Sequence, residues 1–226
     1  MAVNIHQYES IINELGDSKT LVAVSKMRSV EEIQHLYDLG HRDFGENYVQ
    51  ELIEKHLILP HDIRWHFIGH LQSNKVKYIA PFIYMIHGVE SFKLLREINK
   101  QGKKFNRVIN CLLQVHIAQE ETKFGLSEEE LEELISGLSA EDAAVLYECI
   151  NICGLMGMAS FSDDEVKVTK EFIYLETLYD KYSPTHLSNM RFTTLSMGMS
   201  ADYQLAIAHG SNMVRIGSLL FGARRK

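Results

Sequence analysis

The sequence predicts an α/β protein built as a single (β/α)8 barrel, also called a TIM barrel. Eight short apolar runs alternate with amphipathic stretches of helical spacing along the chain. The runs are apolar nearly throughout, as parallel strands are when both faces of the sheet are covered. The alternative is a doubly wound open sheet, which usually has a glycine-rich turn after its first strand. Here the first run ends in SKMRSV, without a glycine.

One domain over residues 1–226 is expected, because no low-complexity segment or proline-rich linker divides the chain. The hydrophobic fraction of 46% and the charged fraction of 23% are typical of a soluble globular protein. A net charge of −7 argues against nucleic acid or an anionic membrane as the main partner. The sequence lacks a long apolar span and a signal peptide. We therefore predict a cytoplasmic protein, and we expect a monomer.

The predicted strands are TLVAVSK, RDFGENY, IRWHFIGH, IYMIHGV, NCLLQVHIA, ICGLMGMAS, TTLSMGM and MVRIGSLLFG. The predicted helices between them include SVEEIQHLYDLG, SFKLLREINKQG, LSEEELEELISGL and DDEVKVTKEFIYLETLYDKY. Two of these helices begin with a capping-box pattern, formed by Ser29 with Glu32 and by Ser127 with Glu130. Gly40 is a stop signal for the first of them.

Lys26 stands at the C-terminal end of the first predicted strand, the end at which barrels of this class place their sites. Side chains alternate along a strand, so Val22, Val24 and Lys26 share one face. If that face is the barrel interior, burial disfavours the charged ammonium form, and a neutral amine is a nucleophile for carbonyl groups. The alternative is a lysine that extends from a strand end into solvent.

The last two predicted strands end in residues typical of a phosphate site. Arg215 and Gly217 lie two apart and share a face, and glycine in a strand permits close approach of a ligand. Gly217 and Ser218 offer backbone N–H groups and a hydroxyl. The preceding strand supplies Ser196 and then Ser200, which is the predicted N-cap of the helix MSADYQLAIAHG, whose first N–H groups would favour an anion. Alternatively, these are common turn residues.

Cysteines and histidines predict neither a disulfide framework nor a metal site. The cysteines are predicted to be reduced core thiols, and they are Cys111, Cys149 and Cys153. His66 and His70 are four apart on a predicted strand and share a face near His61, but no cysteine or carboxylate accompanies them there. A charge cluster follows the fifth strand and comprises Glu120, Glu121 and Lys123. We predict that it forms a solvated loop or, alternatively, an ion pair at the pocket rim.

Six segments occur in order between about residue 20 and residue 223. They are AVSK, FGENYVQE, WHFIGHLQSNK, LLQVHIAQEETKFGL, GLMGM and LSMGMSADYQLAIAHGSNMVRIGSLLFGAR. Together they strongly resemble the YggS/PROSC family of pyridoxal 5′-phosphate (PLP) homeostasis proteins. The resemblance implies a barrel similar to the N-terminal domain of bacterial alanine racemase, with PLP held as an imine. It also implies a PLP carrier or regulator of vitamin B6 and amino-acid pools, with PLP-dependent apoenzymes as further partners.

The resemblance assigns roles to seven residues: Lys26, Asn47, Ser196, Ser200, Arg215, Gly217 and Ser218. It implies that Lys26 forms the imine, that Asn47 lies near the cofactor, and that Arg215 faces the pyridine nitrogen. The serines and Gly217 match phosphate-binding loops. The sequence departs from the family pattern in MRSVEE after the lysine, in His116 of the fifth strand, and in a short segment before the first strand.

Three function classes are compatible with these residues. We favour a PLP carrier or regulator without catalytic residues or a metal. The second class is a PLP enzyme, such as an amino-acid racemase or decarboxylase. A two-base racemase needs a second base on the opposite face of the cofactor, which alanine racemase takes from an extra β domain, and no such domain is expected in this chain. The third class is an aldolase that uses a buried lysine without a cofactor.

Overall fold

The computed structural model describes residues 3–118, 124–140 and 146–223, and its strands form a closed parallel barrel. Each strand is hydrogen-bonded to the next along the chain, and the last strand pairs with the first. The predicted (β/α)8 barrel is therefore confirmed and the open sheet is excluded. The charge cluster of Glu120, Glu121 and Lys123 lies outside the described residues.

Each predicted strand run overlaps one observed strand, but three of the strands begin one to three residues before the predicted run, and residues 218–221 of the eighth run are helical. The strands are β1 (Thr20–Val24), β2 (Asp43–Glu46), β3 (Arg64–Phe67), β4 (Met85–Val89), β5 (Ile109–Val115), β6 (Ile150–Gly157), β7 (Met190–Ser196) and β8 (Met213–Ile216). The α-helices within the described residues are α1 (Ile5–Leu15), α2 (Val30–Asp38), α3 (Val49–Ile58), α4 (Val76–Ile79), α5 (Phe92–Phe105), α6 (Glu128–Leu138), α7 (Glu165–Tyr182), α8 (Tyr203–Ala208) and α9 (Ser218–Phe221). Short 3-10 helices cover Gly16–Ser18 and Ser73–Lys75. No described helix has the length and apolar character needed to cross a membrane.

Both predicted capping boxes are present, at Ser29 before α2 and at Ser127 before α6. The predicted N-cap at Ser200 is wrong, because α8 begins at Tyr203 and its N-cap is Asp202. The Asp202 carboxylate accepts a hydrogen bond from the Met199 N–H at 2.6 Å, which closes the turn before the helix. The Ser200 hydroxyl is left for another partner.

Two apolar layers fix the orientation of the strand side chains. The larger layer lies between the helices and the outside of the barrel and includes Phe44, Trp65 and Phe172. The smaller layer fills the barrel interior with six buried residues, which are Val22, Met85, Leu112, Cys153, Met156 and Met213. Val22 therefore points inward and shares the interior face of β1 with Val24, but the predicted strand position of Lys26 is wrong because β1 ends at Val24.

The histidines do not share a face, contrary to the sequence prediction, because β3 ends at Phe67. His66 is buried, with one ring nitrogen 3.0 Å from Asp43 and the other 2.9 Å from His87. His70 lies beyond the strand and pairs with Glu90 at 2.9 Å. Among the described residues, no three His, Cys, Asp or Glu side chains are grouped to hold a metal ion.

The cysteines are reduced, and two of them are core residues as predicted. Cys111 and Cys153 are buried, whereas Cys149, just before β6, is only partly buried. Burial raises the pKa of the Cys153 thiol to about 11, so this group is a protonated thiol at neutral pH.

Candidate functional site

A cavity of about 860 Å³ opens at the C-terminal ends of the strands. Six of the seven predicted site residues line it: Lys26, Asn47, Ser200, Arg215, Gly217 and Ser218. They come from the ends of β1, β2, β7 and β8, which barrel closure brings together. The seventh, Ser196, is fully buried at the end of β7 and is not part of the cavity lining.

Lys26 lies in a tight turn directly after β1. The Ser25 carbonyl accepts a hydrogen bond from the Arg28 N–H at 3.0 Å, so Ser25 to Arg28 form a four-residue turn with Lys26 at its second position. Met27, at the third position, has a φ of 60°, in the left-handed region that favours glycine or asparagine. The turn places Lys26 half-buried at the cavity wall.

Asn47, which directly follows β2, contributes a hydrogen-bond acceptor to the cavity lining. Its side-chain oxygen Oδ1 is enclosed and has no hydrogen-bond donor among the described residues. Gly69 packs against the Asn47 backbone, and a Cβ atom on residue 69 would stand only 2.5 Å from the Asn47 carbonyl oxygen. The loop after β3 can therefore approach Asn47 only because residue 69 has no side chain. A buried acceptor without a donor is costly, and a bound ligand can supply the donor.

Arg215 is held rigidly in the barrel interior and is only 4% exposed. Its guanidinium donates to the Ser196 carbonyl at 2.9 Å, to the Ser196 hydroxyl at 2.6 Å and to the Gly157 carbonyl at 2.9 Å. Burial lowers the pKa of Arg215 to about 10, so the group remains charged at neutral pH. The structure places Ser196 behind Arg215, where it orients the guanidinium.

Ser200 and Gly217 join the loops after β7 and β8. The Gly217 N–H donates to the Ser200 hydroxyl oxygen at 3.2 Å, which leaves the Ser200 hydroxyl proton available to a ligand. A Cβ atom on Gly217 would lie 3.3 Å from the Val24 Cβ, so the β8 end packs tightly against the β1 end. Arg28 also ties these ends together by donating to the Phe221 and Gly222 carbonyls.

A family model described as the N-terminal domain of alanine racemase matches residues 2–225. The chain is also 40% identical over 203 residues to the pyridoxal phosphate homeostasis protein of Helicobacter pylori (strain ATCC 700392 / 26695), which covers 89% of this chain and 86% of the relative. The chain belongs to the family of pyridoxal phosphate homeostasis proteins. The resemblance predicted from the six sequence segments is thereby confirmed.

Other members of the pyridoxal phosphate homeostasis family are similarly related. The Aquifex aeolicus (strain VF5) protein is 37% identical over 206 residues, covering 91% of this chain and 87% of the relative. PipY of Synechococcus elongatus PCC7942, solved with PLP bound, matches with a TM-score of 0.85 and 32% identity over 96% of this chain and 99% of PipY. Alanine racemase of Clostridium difficile 630 has a TM-score of 0.75 at 16% identity over 98% of this chain and 57% of the racemase, which shows a shared fold.

Two sets of contacts made by glutamate side chains are not predicted from the sequence. Glu171 on α7 accepts from the Ser160 N–H at 2.6 Å and from the Ser160 hydroxyl at 2.7 Å, which shapes the cavity wall after β6. Lys55 on α3 is only 5% exposed and contacts two glutamates. Its spacing of three from the buried Leu52 puts a lysine on an apolar helix face, a signal that the sequence does carry. No comparable signal marks the Glu171 contact.

Proposed function

We propose that this chain binds PLP in the cavity, holds it as an imine of Lys26, and acts as a carrier or regulator in vitamin B6 and amino-acid homeostasis. One observation carries the proposal: a lysine, a buried arginine and a serine–glycine pair line the same cavity. Membership of the pyridoxal phosphate homeostasis family and the similarity to PLP-bound PipY support it.

The cavity residues fit the chemical groups of PLP. Ser200 and Ser218 would hold the phosphate, since hydroxyl and N–H donors suit a dianion, and Gly217 would permit its close approach. Arg215 would face the ring nitrogen, and the enclosed Asn47 Oδ1 would accept a hydrogen bond from the cofactor or from a water beside it. The donors and the acceptor therefore stand where a polar ligand can satisfy them.

Lys26 would supply the covalent link. Its neutral amine attacks the aldehyde carbon, a carbon–nitrogen double bond forms, and one water leaves. PLP contributes a reactive aldehyde and an electron-withdrawing ring. Release follows when an incoming amine takes the place of the Lys26 nitrogen at that carbon and the Lys26 amine is freed.

Arg215 and the open cavity mouth favour holding and release over catalysis. A charged arginine keeps a facing pyridine nitrogen unprotonated, which makes the ring a weak electron sink. Phe161, at the cavity mouth, is 89% exposed, and Lys26 itself is only half-buried. An accessible site allows exchange with an external amine, such as a lysine of a PLP-dependent apoenzyme. Such a site does not exclude water from a reacting centre, as catalysis would require.

The first test is attachment of PLP. Apo protein titrated with PLP should develop the visible absorbance of an imine, and borohydride should fix one pyridoxyl group. A modified Lys26 resists trypsin, so the label should appear on the uncleaved peptide TLVAVSKMR, residues 20–28. A label on another lysine, or none, would contradict the proposal.

The second test separates a carrier from an amino-acid enzyme. The PLP-loaded protein is incubated in D2O with a panel of L-amino acids, and exchange of the α-proton is followed by NMR. We expect slow spectral changes from amine exchange without α-proton exchange on a catalytic timescale. Exchange at about 1 per second or faster, within the normal range of enzymes, would show a PLP enzyme instead.

We predict that the loops after β7 and β8 set the affinity for the phosphate. Ser200→Ala should weaken PLP binding several-fold through loss of a charge-assisted hydrogen bond, roughly 1–2 kcal/mol. Gly217→Val should weaken it more, since its branched side chain would crowd Val24, which also lines the cavity. Gly217→Ala is the control for folding, because its single Cβ meets Val24 at 3.3 Å. Unchanged affinity of Gly217→Val, measured by titration, would remove the phosphate from this strand.

A further inference from the structure

We propose that Lys55 is a positioning residue that sets the orientation of Lys26. The inference rests on the proposed attachment of PLP at Lys26. Lys55 does not line the cavity. It acts through the backbone of the residues on both sides of Lys26.

All three donors of the Lys55 ammonium are used inside the protein. Its Nζ atom lies 2.7 Å from the Ser25 carbonyl oxygen, 2.7 Å from Glu46 Oε1 and 2.7 Å from Glu51 Oε1. Lys55 is buried and Glu46 is fully buried, so water does not screen this ion pair. An ammonium in this setting is a fixed point of attachment for the residue before Lys26.

The two glutamates hold the turn at two further points. The Ser25 hydroxyl donates to Glu46 Oε1 at 2.6 Å, and the Met27 N–H donates to Glu51 Oε1 at 2.5 Å. Residues on both sides of Lys26 are therefore bound to one cluster, which consists of Glu46, Glu51 and Lys55. Ser25 and Met27 make these contacts, one on each side of Lys26.

The backbone at Met27 shows why the turn needs such support. Its φ of 60° is unfavourable for a residue with a side chain, and such conformations persist only where the surroundings over-determine them. Without Lys55, the Glu46 and Glu51 carboxylates would face each other without a cation between them. Burial already raises the pKa of Glu46, against the opposing effect of Lys55. Loss of Lys55 therefore releases the turn.

The expected consequence is a defect in attachment rather than in ligand binding. Bond formation requires the Lys26 nitrogen within reach of the aldehyde carbon, and a misplacement of about 1 Å costs on the order of tenfold or more in rate. Ser200 and Gly217, which would line the phosphate site, follow β7 and β8 and are not held by Lys55. Lys55→Met should slow imine formation and leave noncovalent binding unchanged.

The experiment compares two ligands on the apo protein. PLP reports imine formation, through the visible absorbance and borohydride trapping, whereas pyridoxine 5′-phosphate lacks the aldehyde and reports noncovalent binding alone. For Lys55→Met we expect the rate of imine formation to fall on the order of tenfold with an unchanged Kd for pyridoxine 5′-phosphate. The matched control is Lys181→Met, which removes a surface lysine that also contacts two glutamates.

A second pair of variants keeps the inference testable if Lys55→Met does not fold. Glu51→Ala removes the acceptor of the Met27 N–H, and Glu51→Gln keeps a side-chain oxygen there. We expect slow imine formation in the alanine variant and recovery in the glutamine variant. An equal loss of affinity for PLP and for pyridoxine 5′-phosphate would overturn the inference. A wild-type rate of imine formation in Lys55→Met and Glu51→Ala would also overturn it. Failure of wild-type protein to trap PLP at Lys26 would instead refute the proposed function.

Discussion

Replacement of Lys26 by alanine is expected to abolish the visible absorbance of bound PLP and to weaken PLP binding on the order of 100-fold. Without the amine no imine forms, and only the phosphate and ring contacts remain. The fold should persist, because the turn contacts to Glu46, Glu51 and Lys55 are made by Ser25 and Met27. Absorbance titration and thermal unfolding of the same samples measure both effects.

Lys93→Ala is the control for this substitution, since Lys93 is an exposed residue of α5. It should retain the absorbance, the affinity and the borohydride label. A yellow Lys26→Ala protein with unchanged affinity would show that another amine holds the cofactor. A colourless variant that also unfolds at a much lower temperature would show that Lys26 supports the fold.

Replacement of Gly154 by alanine is expected to cause the largest loss of stability. Gly154 on β6 has a φ of 150°, and a Cβ atom there would stand 1.8 Å from the Thr194 carbonyl oxygen on β7. The pairing register shifts beside it, from Ile152 with Met190 to Gly154 with Thr194. Neither strand can yield without breaking the barrel, so we expect a loss of more than about 3 kcal/mol in the free energy of unfolding.

Gly40→Ala is the matched control, because Gly40 also has a positive φ, of 94°, but no atom within 4 Å of the added Cβ. Its cost should be about 1–2 kcal/mol, the conformational penalty alone. Urea unfolding of the two variants separates the cost of the steric clash at residue 154 from the cost of a positive φ alone. Equal midpoints would mean that β6 and β7 adjust to the side chain, contrary to the rigid pairing described above.

Much of the fold could be predicted because its signals are local. The apolar runs and the capping residues Ser29 and Ser127 depend on neighbours a few residues away. The helices α1, α3 and α4 lie outside the segments named as helical, and α9 lies within the eighth predicted strand run. At Ser200 a serine before a helical stretch indicated an N-cap. Packing of the β7 and β8 loops instead lets the Ser200 hydroxyl oxygen accept from the Gly217 N–H, and Asp202 is the N-cap.

The candidate site divides in the same way. The sequence indicated Lys26, Arg215 and Gly217 as residues at strand ends, and the family resemblance added Asn47. Their common cavity follows from closure of the barrel. It could not indicate that Ser196 would turn to Arg215, because that contact depends on the close approach of β7 and β8 in the interior.

The sequence by itself determined the alternation of strands and helices, the family, and the chemical types available at the strand ends. The tertiary structure decided which of them meet. Pairing of β1 with β8 puts Val22 beside Arg215, although the two are far apart in the chain. It also decided that Lys55, from α3, supports the turn at Lys26. The physical reason is range: strand and helix patterns arise from contacts within a few residues, whereas buried hydrogen bonds and ion pairs depend on distances that only the closed barrel sets.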